Sequence, residues 1–451
     1  MVCAGFAIDC SRAAADTLEW ALVQAYQNNP SLNAQRASSR ATDESVPQAL
    51  SAYRPKLGAT VGGGYNFISQ EARRFFAQGA GAETFYSRTV GANVSYTLFN
   101  GYQTANRVRQ AESQVSAARE TLRATEQQVL LDAATTYMDL LRDAAILALN
   151  RSNVEVLTEQ LKETRGRYNA GELTRTDIAQ AESRLAAGRS ALLGAQSNYV
   201  TARANYRRVI GVDPGQLAPG TPVDRYSPNV LAKAIAQGQA QSPSLLAARY
   251  GVDIAALTVA IIEGALYPNL TLNASAKQGQ DPTFRFIRQT ELSLVGQLTM
   301  PIYQGGGEYS GIRQSKEALG QQRLTLDTNR DQARETVVQS WGRLEAAKAQ
   351  IDSTTAQVNA AEFALNGVRE EARVGERTTL DVLNAQQELV NARVALVRAQ
   401  HDRVVGSYTL LAAVGGLSMK TLGLDVAIYD PMVHYQQIRD TWIGVRNPAG
   451  R

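Results

Sequence analysis

The sequence predicts a mainly α-helical, internally duplicated fold in which long antiparallel coiled-coil helices are joined to a four-stranded membrane β-sheet. Two observations predict the helices: a helical turn motif that occurs twice, and a long proline-free apolar repeat before each turn. A third observation predicts the sheet, because two segments with alternating apolar and polar residues precede each long helix. Each half of the chain carries the same set of features.

The duplication is clearest at the turn motif. It reads AGELTRTDIAQA at 170–181 and VGERTTLDVLNA at 374–385. The glycines of the two copies, Gly171 and Gly375, are 204 positions apart (375 − 171). The same spacing holds without a gap over more than a hundred residues, which indicates a true repeat.

Upstream of the turns, the two copies differ by one short insertion. Pro30 and Pro243 begin Pro-Ser-Leu segments that are 213 positions apart (243 − 30), nine more than the spacing of the turns (213 − 204). We place the copies at 16–211 and 231–416. A repeat of this length is too long for a solenoid unit, so we expect internal pseudo-symmetry.

Residues 1–15 are predicted to be the remnant of an export signal. The segment begins with apolar residues and ends in three alanines that match the small-x-small pattern of a cleavage site. We expect the mature chain to begin at Asp16 and to contain no thiol, because Cys3 and Cys10 both precede it. Lipidation of Cys10 is the alternative, but Asp9 stands where a small residue is needed.

Each copy is predicted to contain one long helix and two shorter companions. The long helices are expected at 101–169 and 307–373, where apolar or small residues recur at the steps of a coiled-coil seam. At 1.5 Å per residue, each would be roughly 100 Å long. The returning helices are expected at 174–210 and 378–414, and an early helix at 17–52. Two companions laid end to end would cover one long helix in an antiparallel layer.

Between the early and long helices, the period of the apolar residues changes from 3.6 to 2. Ten-odd residues of this alternation fit a tilted membrane strand, although a hairpin resting on a soluble core is the alternative. Known membrane barrels start at about eight strands, and lipid does not tolerate unpaired edges. We therefore expect an oligomer of two, three or more subunits. The predicted strands are 56–68, 88–100, 268–278 and 289–302.

Composition argues against several other classes of protein. The net charge is +4, charged residues make up 20%, and no run of Lys or Arg stands out, so we expect no nucleic-acid partner. The chain lacks a run of about eighteen apolar residues, so no transmembrane helix is expected. Its two histidines, His401 and His434, show no metal-ligand spacing. We expect no cofactor, metal or enzymatic activity, and we interpret His401 as a surface or packing residue.

Asp177 and Asp381 are repeat equivalents, each six residues after its turn glycine. One interpretation is helix N-terminal chemistry, since an acidic residue is favoured there by the helix dipole. The other is a ring of carboxylates around the axis of a symmetric oligomer, which would favour cations. Residue chemistry favours the two interpretations equally.

The duplicated turn, the Leu-Phe-Asn-Gly entry to the long helix at 98–101 and the paired Pro-Ser-Leu segments resemble the TolC family of outer-membrane export channels. The resemblance covers 16–416. It implies a homotrimer with one shared twelve-stranded barrel in the outer membrane of a Gram-negative bacterium. It also implies a periplasmic helical tunnel that opens at its tip like an iris, with 212–230 and the tail 417–451 forming an equatorial belt.

The resemblance further implies a constriction. The innermost gate of the family is an Asp-x-x-Asp pair on the second hairpin, and the matching positions here are Asp381 and Asn384. The first carboxylate is retained, and the second is an amide. We expect a ring with less charge than in relatives that have both carboxylates.

The family's closing links join an Arg and a Tyr of the second hairpin to a Thr-Asp pair of the first. Arg377, Thr176 and Asp177 match these positions, whereas Ala372 stands at the position of the Tyr. We expect the closed state to be held by fewer links.

The function that the resemblance implies is a passive conduit for efflux or secretion. A periplasmic adaptor protein would recruit it, and a proton-driven or ATP-driven inner-membrane transporter would supply the energy. The exported substrate, whether drug, protein toxin or polysaccharide, is left open. The alternative from another class is a non-pore periplasmic adaptor or coiled-coil scaffold, but adaptors flank their hairpins with lipoyl-like β modules, which are not found here. The expected adaptor contacts are the hairpin tips: Gly171, Glu172, Leu173, Thr174, Arg175, Gly375, Glu376, Arg377 and Thr378.

Overall fold

The computed structural model describes residues 16–70, 81–281 and 287–447; the predicted export signal lies outside them. The chain forms two compact units. The helical unit contains the described residues of 1–38, 119–246 and 327–430. The sheet unit contains the described residues of 39–118, 247–326 and 431–451.

Helices dominate both copies of the repeat. Their predicted combination with a four-stranded antiparallel sheet is confirmed. Short 3₁₀ turns lie at Ser51–Tyr53 and Asp224–Tyr226. The other elements are, in chain order, α1 (Leu18–Asn28), α2 (Pro30–Asp43), α3 (Ser45–Leu50), β1 (Lys56–Gln70), β2 (Gly81–Asn100), α4 (Gln103–Asn169), α5 (Arg175–Ile210), α6 (Leu231–Gln241), α7 (Pro243–Gly264), β3 (Asn269–Gln280), β4 (Arg288–Thr299), α8 (Gly307–Arg373), α9 (Thr379–Ala413), α10 (Met419–Leu422) and α11 (Pro431–Ile438).

The segment 17–52, which we expected as one helix, is divided into α1, α2 and α3. Pro30 opens α2, because proline has no amide hydrogen to continue the preceding helix but fits the first turn of a new one. Asn29 lies at the junction, and its side-chain oxygen accepts from two backbone amides of α2 at 2.9 and 3.3 Å. The second copy has the same break at Pro243, between α6 and α7.

The four strands form one antiparallel sheet in the order β1-β2-β3-β4. The first two strands are longer than the sequence indicated, because pairing continues where the apolar alternation fades. Tyr65 and Tyr86, for example, face each other across this pair with ring centroids 5.0 Å apart. The fourth strand ends at Thr299 rather than at 302, since Pro301 cannot donate to a ladder. β1 and β4 are the edge strands of this sheet, so within the chain each is hydrogen-bonded to another strand along one side only.

One helix differs from the expectation that no transmembrane helix is present. In the described part of the chain, α7 alone is long and apolar enough to cross a membrane, judged by length and composition. Our expectation rested on uninterrupted apolar runs, and the charged residues Arg249 and Asp253 break the run in α7. In the sheet unit, however, α7 is tied to long helices: its Thr258 accepts from a glutamine of α4 at 2.7 Å. Its Glu263 pairs with a lysine of α8 at 2.8 Å.

The core of the helical unit includes the linker between the two copies. Tyr137 Oη lies 2.7 Å from the carbonyl oxygen of Asp16 and 2.6 Å from that of Ala218. These contacts join α4 to the start of the described chain and to the linker 212–230. The largest side chains that are fully buried in this unit are three tyrosines: Tyr137, Tyr206 and Tyr408.

Candidate gate at the hairpin turns

The α4–α5 and α8–α9 hairpins turn in the same way. Gly171 and Gly375 have φ values of +80° and +87°, in the left-handed region that favours glycine. In each turn, the amide after the glycine donates to a carbonyl near the end of the long helix at 2.9 Å. A Cβ at either glycine would meet nothing within 4 Å, so the backbone conformation rather than crowding requires glycine.

Both candidate gate aspartates, Asp177 and Asp381, lie in the first turn of a returning helix as part of a capping box. The backbone amide and the hydroxyl of Thr174 donate to Asp177 Oδ2 at 2.8 and 2.7 Å. The same groups of Thr378 donate to Asp381 Oδ2 at 3.0 and 2.8 Å. Within a single chain, the two aspartates therefore perform helix N-terminal chemistry.

These hydrogen bonds keep both carboxylates charged. The hydroxyl of Thr174, followed by its amide, lowers the pKa of Asp177. The amide of Thr378, followed by its hydroxyl, lowers the pKa of Asp381. Each hairpin therefore carries a fixed negative charge at the start of its returning helix at neutral pH.

Arg377 pairs with its own hairpin. Its Nε donates to Glu371 at 2.8 Å, across the second turn. The first turn has a similar pair, in which Arg167 donates to Glu172 at 2.9 Å. Within the described chain, the structure does not bring Arg377 to Thr176, its predicted partner on the first hairpin. Such a link would have to come from a neighbouring subunit.

Asn384 joins the two hairpins of the chain. Arg184 on α5 donates to Asn384 Oδ1 on α9 at 2.7 Å. Two residues further along α9, Gln386 Nε2 donates to Asn153 on α4 at 3.4 Å. Leu383, which precedes Asn384, is buried. The apolar cluster around it combines both hairpins: Leu157, Leu161, Ala181, Leu185 and Leu383.

The repeat register shows how the two hairpins have diverged. In the first hairpin, Arg165 forms an ion pair with Glu182 at 2.6 Å. At the equivalent positions of the second, 204 residues further on, Arg369 donates to the neutral Gln386 at 3.1 Å. Where the first hairpin has an ion pair, the second therefore has a neutral hydrogen bond to an amide that also contacts the first hairpin.

The sequence predicted neither Arg184 nor Gln386 as part of this site. Arg184 follows Asp177 by seven residues, which places it on the same face of α5 two turns further on. This spacing could have identified Arg184 as a residue near the candidate gate. Its partner, Asn384, is 200 residues away in sequence, and only the packing of the hairpins identifies it.

His401 is a packing residue within a polar cluster of the helical unit. Its Nε2 lies 2.9 Å from Asp139 on α4, and its Nδ1 lies 2.8 Å from Asp402. Arg142 also pairs with Asp139, at 2.7 Å. Burial alone would lower the pKa of His401, but its hydrogen bonds to the two aspartates outweigh burial and raise it. Across the described ranges, no group of three or more His, Cys, Asp or Glu residues is suited to a metal ion.

Comparison with known proteins agrees with this architecture of duplicated hairpins and membrane strands. The outer membrane efflux protein family matches residues 21–212 and 234–416, so the chain belongs to this family. It is 42% identical to "Outer membrane efflux protein BepC" of Brucella suis biovar 1, over 97% of this chain and 94% of that protein. It is 25% identical to "Outer membrane protein TolC" of Escherichia coli K12, over 91% of this chain and 85% of that protein.

Solved structures show the same fold. The outer membrane channel CmeC of Campylobacter jejuni superposes with a TM-score of 0.81 at 16% identity, covering 94% of this chain and 89% of that one. The chain is thus an outer-membrane efflux channel of the TolC family that takes part in export, with a periplasmic helical tunnel domain. The family resemblance, fold class and localisation that the sequence predicted are confirmed.

The raised pKa of His401 predicts that stability depends on pH. Protonated His401 bridges two aspartates, so its contribution is complete below the unfolded pKa of about 6.5 and is lost as pH rises through the folded pKa. We expect the thermal midpoint, followed by circular dichroism, to fall between about pH 6 and pH 8. The His401→Gln variant should be less stable by about 1–3 kcal/mol at the lower pH and show a flatter pH profile. An unchanged pH profile in the variant would contradict the assignment.

Proposed function

We propose that three copies of this chain form a passive conduit across the periplasm and the outer membrane. The supporting observation is the open sheet: β1 and β4 each pair along one side within the chain. Lipid does not tolerate an unpaired strand edge, and four strands are too few to close a barrel. Three copies supply twelve strands and pair every edge.

The exposed apolar residues of the strands support the same assembly. Leu57 and Val61 on β1 are about four-fifths exposed, as is Leu292 on β4. Exposed apolar side chains at every second position form a face suited to lipid. In a closed barrel that face points outward, and the opposite face of the strands lines the channel.

A periplasmic adaptor protein and an inner-membrane transporter are the partners of the proposed conduit. Relatives of the chain are named for alkaline protease secretion, as AprF of Pseudomonas aeruginosa is, and for pyoverdine export, as OpmQ of the same species is. A shared channel that accepts proton-driven or ATP-driven transporters is compatible with this range. The tips at 171–175 and 375–379 are the proposed adaptor contacts, since almost all of their side chains are exposed.

The gate of the proposed conduit is the ring that three copies of Asp381 would form. Each carboxylate is held ionised by Thr378, so the ring would carry negative charge at neutral pH. Asn384 contributes an amide whose oxygen already accepts from Arg184. An iris-like opening would separate these rings by moving the hairpins.

We expect native mass spectrometry in mild detergent to detect mainly a three-chain species, and planar bilayers to show discrete conductance steps. The reason is that open β1 and β4 edges are satisfied only when copies pair. A mainly single-chain species without conductance steps would exclude both the barrel and the conduit. Discrete conductance from a species with another number of chains would retain the pore and reject the trimer.

The carboxylate ring predicts a change in ion preference. We expect Asp381→Asn to reduce cation preference in bilayer recordings, because it removes one negative charge per chain from the constriction. Asn384→Asp adds a carboxylate, but Arg184 lies within hydrogen-bonding distance and would neutralise part of that charge. Cation preference and block by trivalent ions should therefore rise more in Asn384→Asp combined with Arg184→Ala than in Asn384→Asp alone.

The control for this series is Arg184→Ala alone. It leaves the number of carboxylates unchanged but removes one link between the hairpins. If Asp381→Asn and the combined variant both kept the ion preference of the unmodified protein, the two residues would be ordinary helix-terminus groups and the gate would lie elsewhere.

Arg377 and Glu371 offer a matched pair of variants for the closing link. If Arg377 holds a neighbouring subunit, Arg377→Ser should raise conductance, whereas Glu371→Gln should leave the channel closed because Arg377 is then free to make that link. If Arg377 serves only its own turn, the two variants should behave alike. Single-channel conductance at low and high salt distinguishes these results, since exposed ionic links weaken with salt.

A further inference from the structure

The last described residues, 439–447, follow α11 and form what we call the tail segment. The sequence suggested that all of 417–451 belongs to an equatorial belt. Instead, the chain divides after Asp430: Leu417, Met419 and Leu422 are buried in the helical unit, and the residues that follow belong to the sheet unit. The tail segment is therefore part of the unit that carries the membrane strands.

We propose that the tail segment is a membrane-interface anchor, which lies in the phospholipid headgroup layer of the periplasmic leaflet beside the helix-side ends of the strands. Its apolar side chains point away from the protein. Trp442, Ile443 and Val445 are 67%, 93% and 103% exposed. Single exposed apolar residues are common, but three within four positions form a patch that water does not favour.

The tail segment is fixed to the protein near the start of β1. Arg54, two residues before that strand, donates from Nη1 to the carbonyl oxygen of Thr441 at 2.8 Å. The guanidinium of Arg54 also lies 4.5 Å from the centroid of the Trp442 ring, a cation–π contact. The position of the indole is thus set by the residue that leads into the membrane strand.

α11, the helix directly before the tail segment, is also fixed to the sheet unit. His434 Nδ1 lies 3.0 Å from the buried Asp43, and Ile438 is buried. Tyr435 packs against an apolar cluster of the sheet unit that includes Val46 and Val115. Because α11 is docked in this way, the apolar residues Trp442, Ile443 and Val445 that follow it are held at a defined position. They remain exposed there.

Aromatic residues mark the same end of the sheet. A tyrosine lies within four residues of the helix-side end of every strand, and each is at least 49% exposed. Tyr and Trp concentrate at the boundary between membrane and water, where an apolar ring and a polar group are both satisfied. Trp442 adds a fifth aromatic ring, in contact with Arg54, the residue that follows the first of them, Tyr53. The four tyrosines are Tyr53, Tyr102, Tyr267 and Tyr303.

The charges around the tail segment suit a phospholipid headgroup. Arg439 and Arg446 lie in the segment itself, and Lys56 begins the neighbouring strand; all three are exposed. Asp440 is the acidic residue among the described positions of the tail. Basic residues beside an apolar patch bind phosphate groups while the apolar side chains enter the acyl boundary. Arg54, which contacts Trp442, lies three residues before the exposed Leu57 of β1, and this nearness to the proposed lipid-facing strand favours lipid over a soluble partner.

The three tryptophans of the chain allow a direct test. Trp20 and Trp341 belong to the helical unit, so the Trp20→Phe/Trp341→Phe variant reports on Trp442 alone. The full-length channel is reconstituted into vesicles of phosphatidylcholine and phosphatidylglycerol. One set contains phosphatidylcholine brominated near the headgroup, a second contains lipid brominated near the acyl terminus, and a third receives aqueous iodide.

We expect the headgroup-proximal bromolipid to reduce Trp442 emission by about twofold or more, and the other two quenchers to act weakly. The Trp442→Phe variant, which keeps Trp20 and Trp341, should show no quenching by either lipid. In the single-tryptophan background, Ile443→Ser/Val445→Ser should lower quenching by the headgroup-proximal lipid and raise quenching by iodide. Both substituted side chains are exposed, so the fold should be unchanged, which circular dichroism checks.

Three results would overturn the proposal. Quenching by iodide alone would place the tail segment in water. Protection from all three quenchers would mean that protein covers Trp442, as a contact with a neighbouring subunit would. Quenching chiefly by the lipid brominated near the acyl terminus would place the segment deeper than the headgroup layer.

Discussion

Backbone hydrogen bonding in lipid is the constraint on which the rest of this structure depends. An unpaired amide or carbonyl in the acyl region loses water without gaining a partner, at a cost of several kcal/mol per group. The chain has two such strand edges, on β1 and β4. In a closed assembly, β4 of one copy pairs with β1 of the next, which gives the ring a direction. β2 leads into α4 within three residues, so each strand pair is joined directly to a long helix.

The duplication produces two hairpins with the same secondary structure, and the two hairpins differ in the contacts between their helices. The turns, the capping boxes and the lengths of α4 and α8, 67 residues each, are the same in both copies. The contacts beside the turns are not: an ion pair at Glu182 corresponds to a neutral hydrogen bond at Gln386. At this position the second hairpin has a neutral link whose amide also contacts the first hairpin. The second hairpin keeps an ion pair of its own, between Arg393 and Glu362 at 2.6 Å, so the two hairpins differ in where charge links their helices.

Local chemistry was predictable from the sequence, and long-range packing was not. The turns at Gly171 and Gly375 could be identified because only glycine fits the required backbone conformation without strain. The long helices could be identified because a seam repeated over many turns has one geometric solution.

By contrast, the division of the early helix required weighing one proline against a continuing apolar pattern. The contact between His401 and Asp139 joins residues 262 positions apart, and no local pattern specifies it. The position of the tail segment was missed for a related reason. The position of the tail segment depends on the hydrogen bond between Arg54 and Thr441, which are 387 positions apart in the sequence.

The energetic scale of the contacts limits where an opening movement can occur. Exposed ionic links such as those at the turns are screened by solvent and contribute little to stability. Leu383 is different: it is 2% exposed and packs against leucines of the other hairpin, where a buried leucine contributes about 1.5–3 kcal/mol. Separating the two hairpins of one chain would expose this cluster. In the proposed trimer, an opening movement that keeps the two hairpins of each chain together would leave the cluster buried.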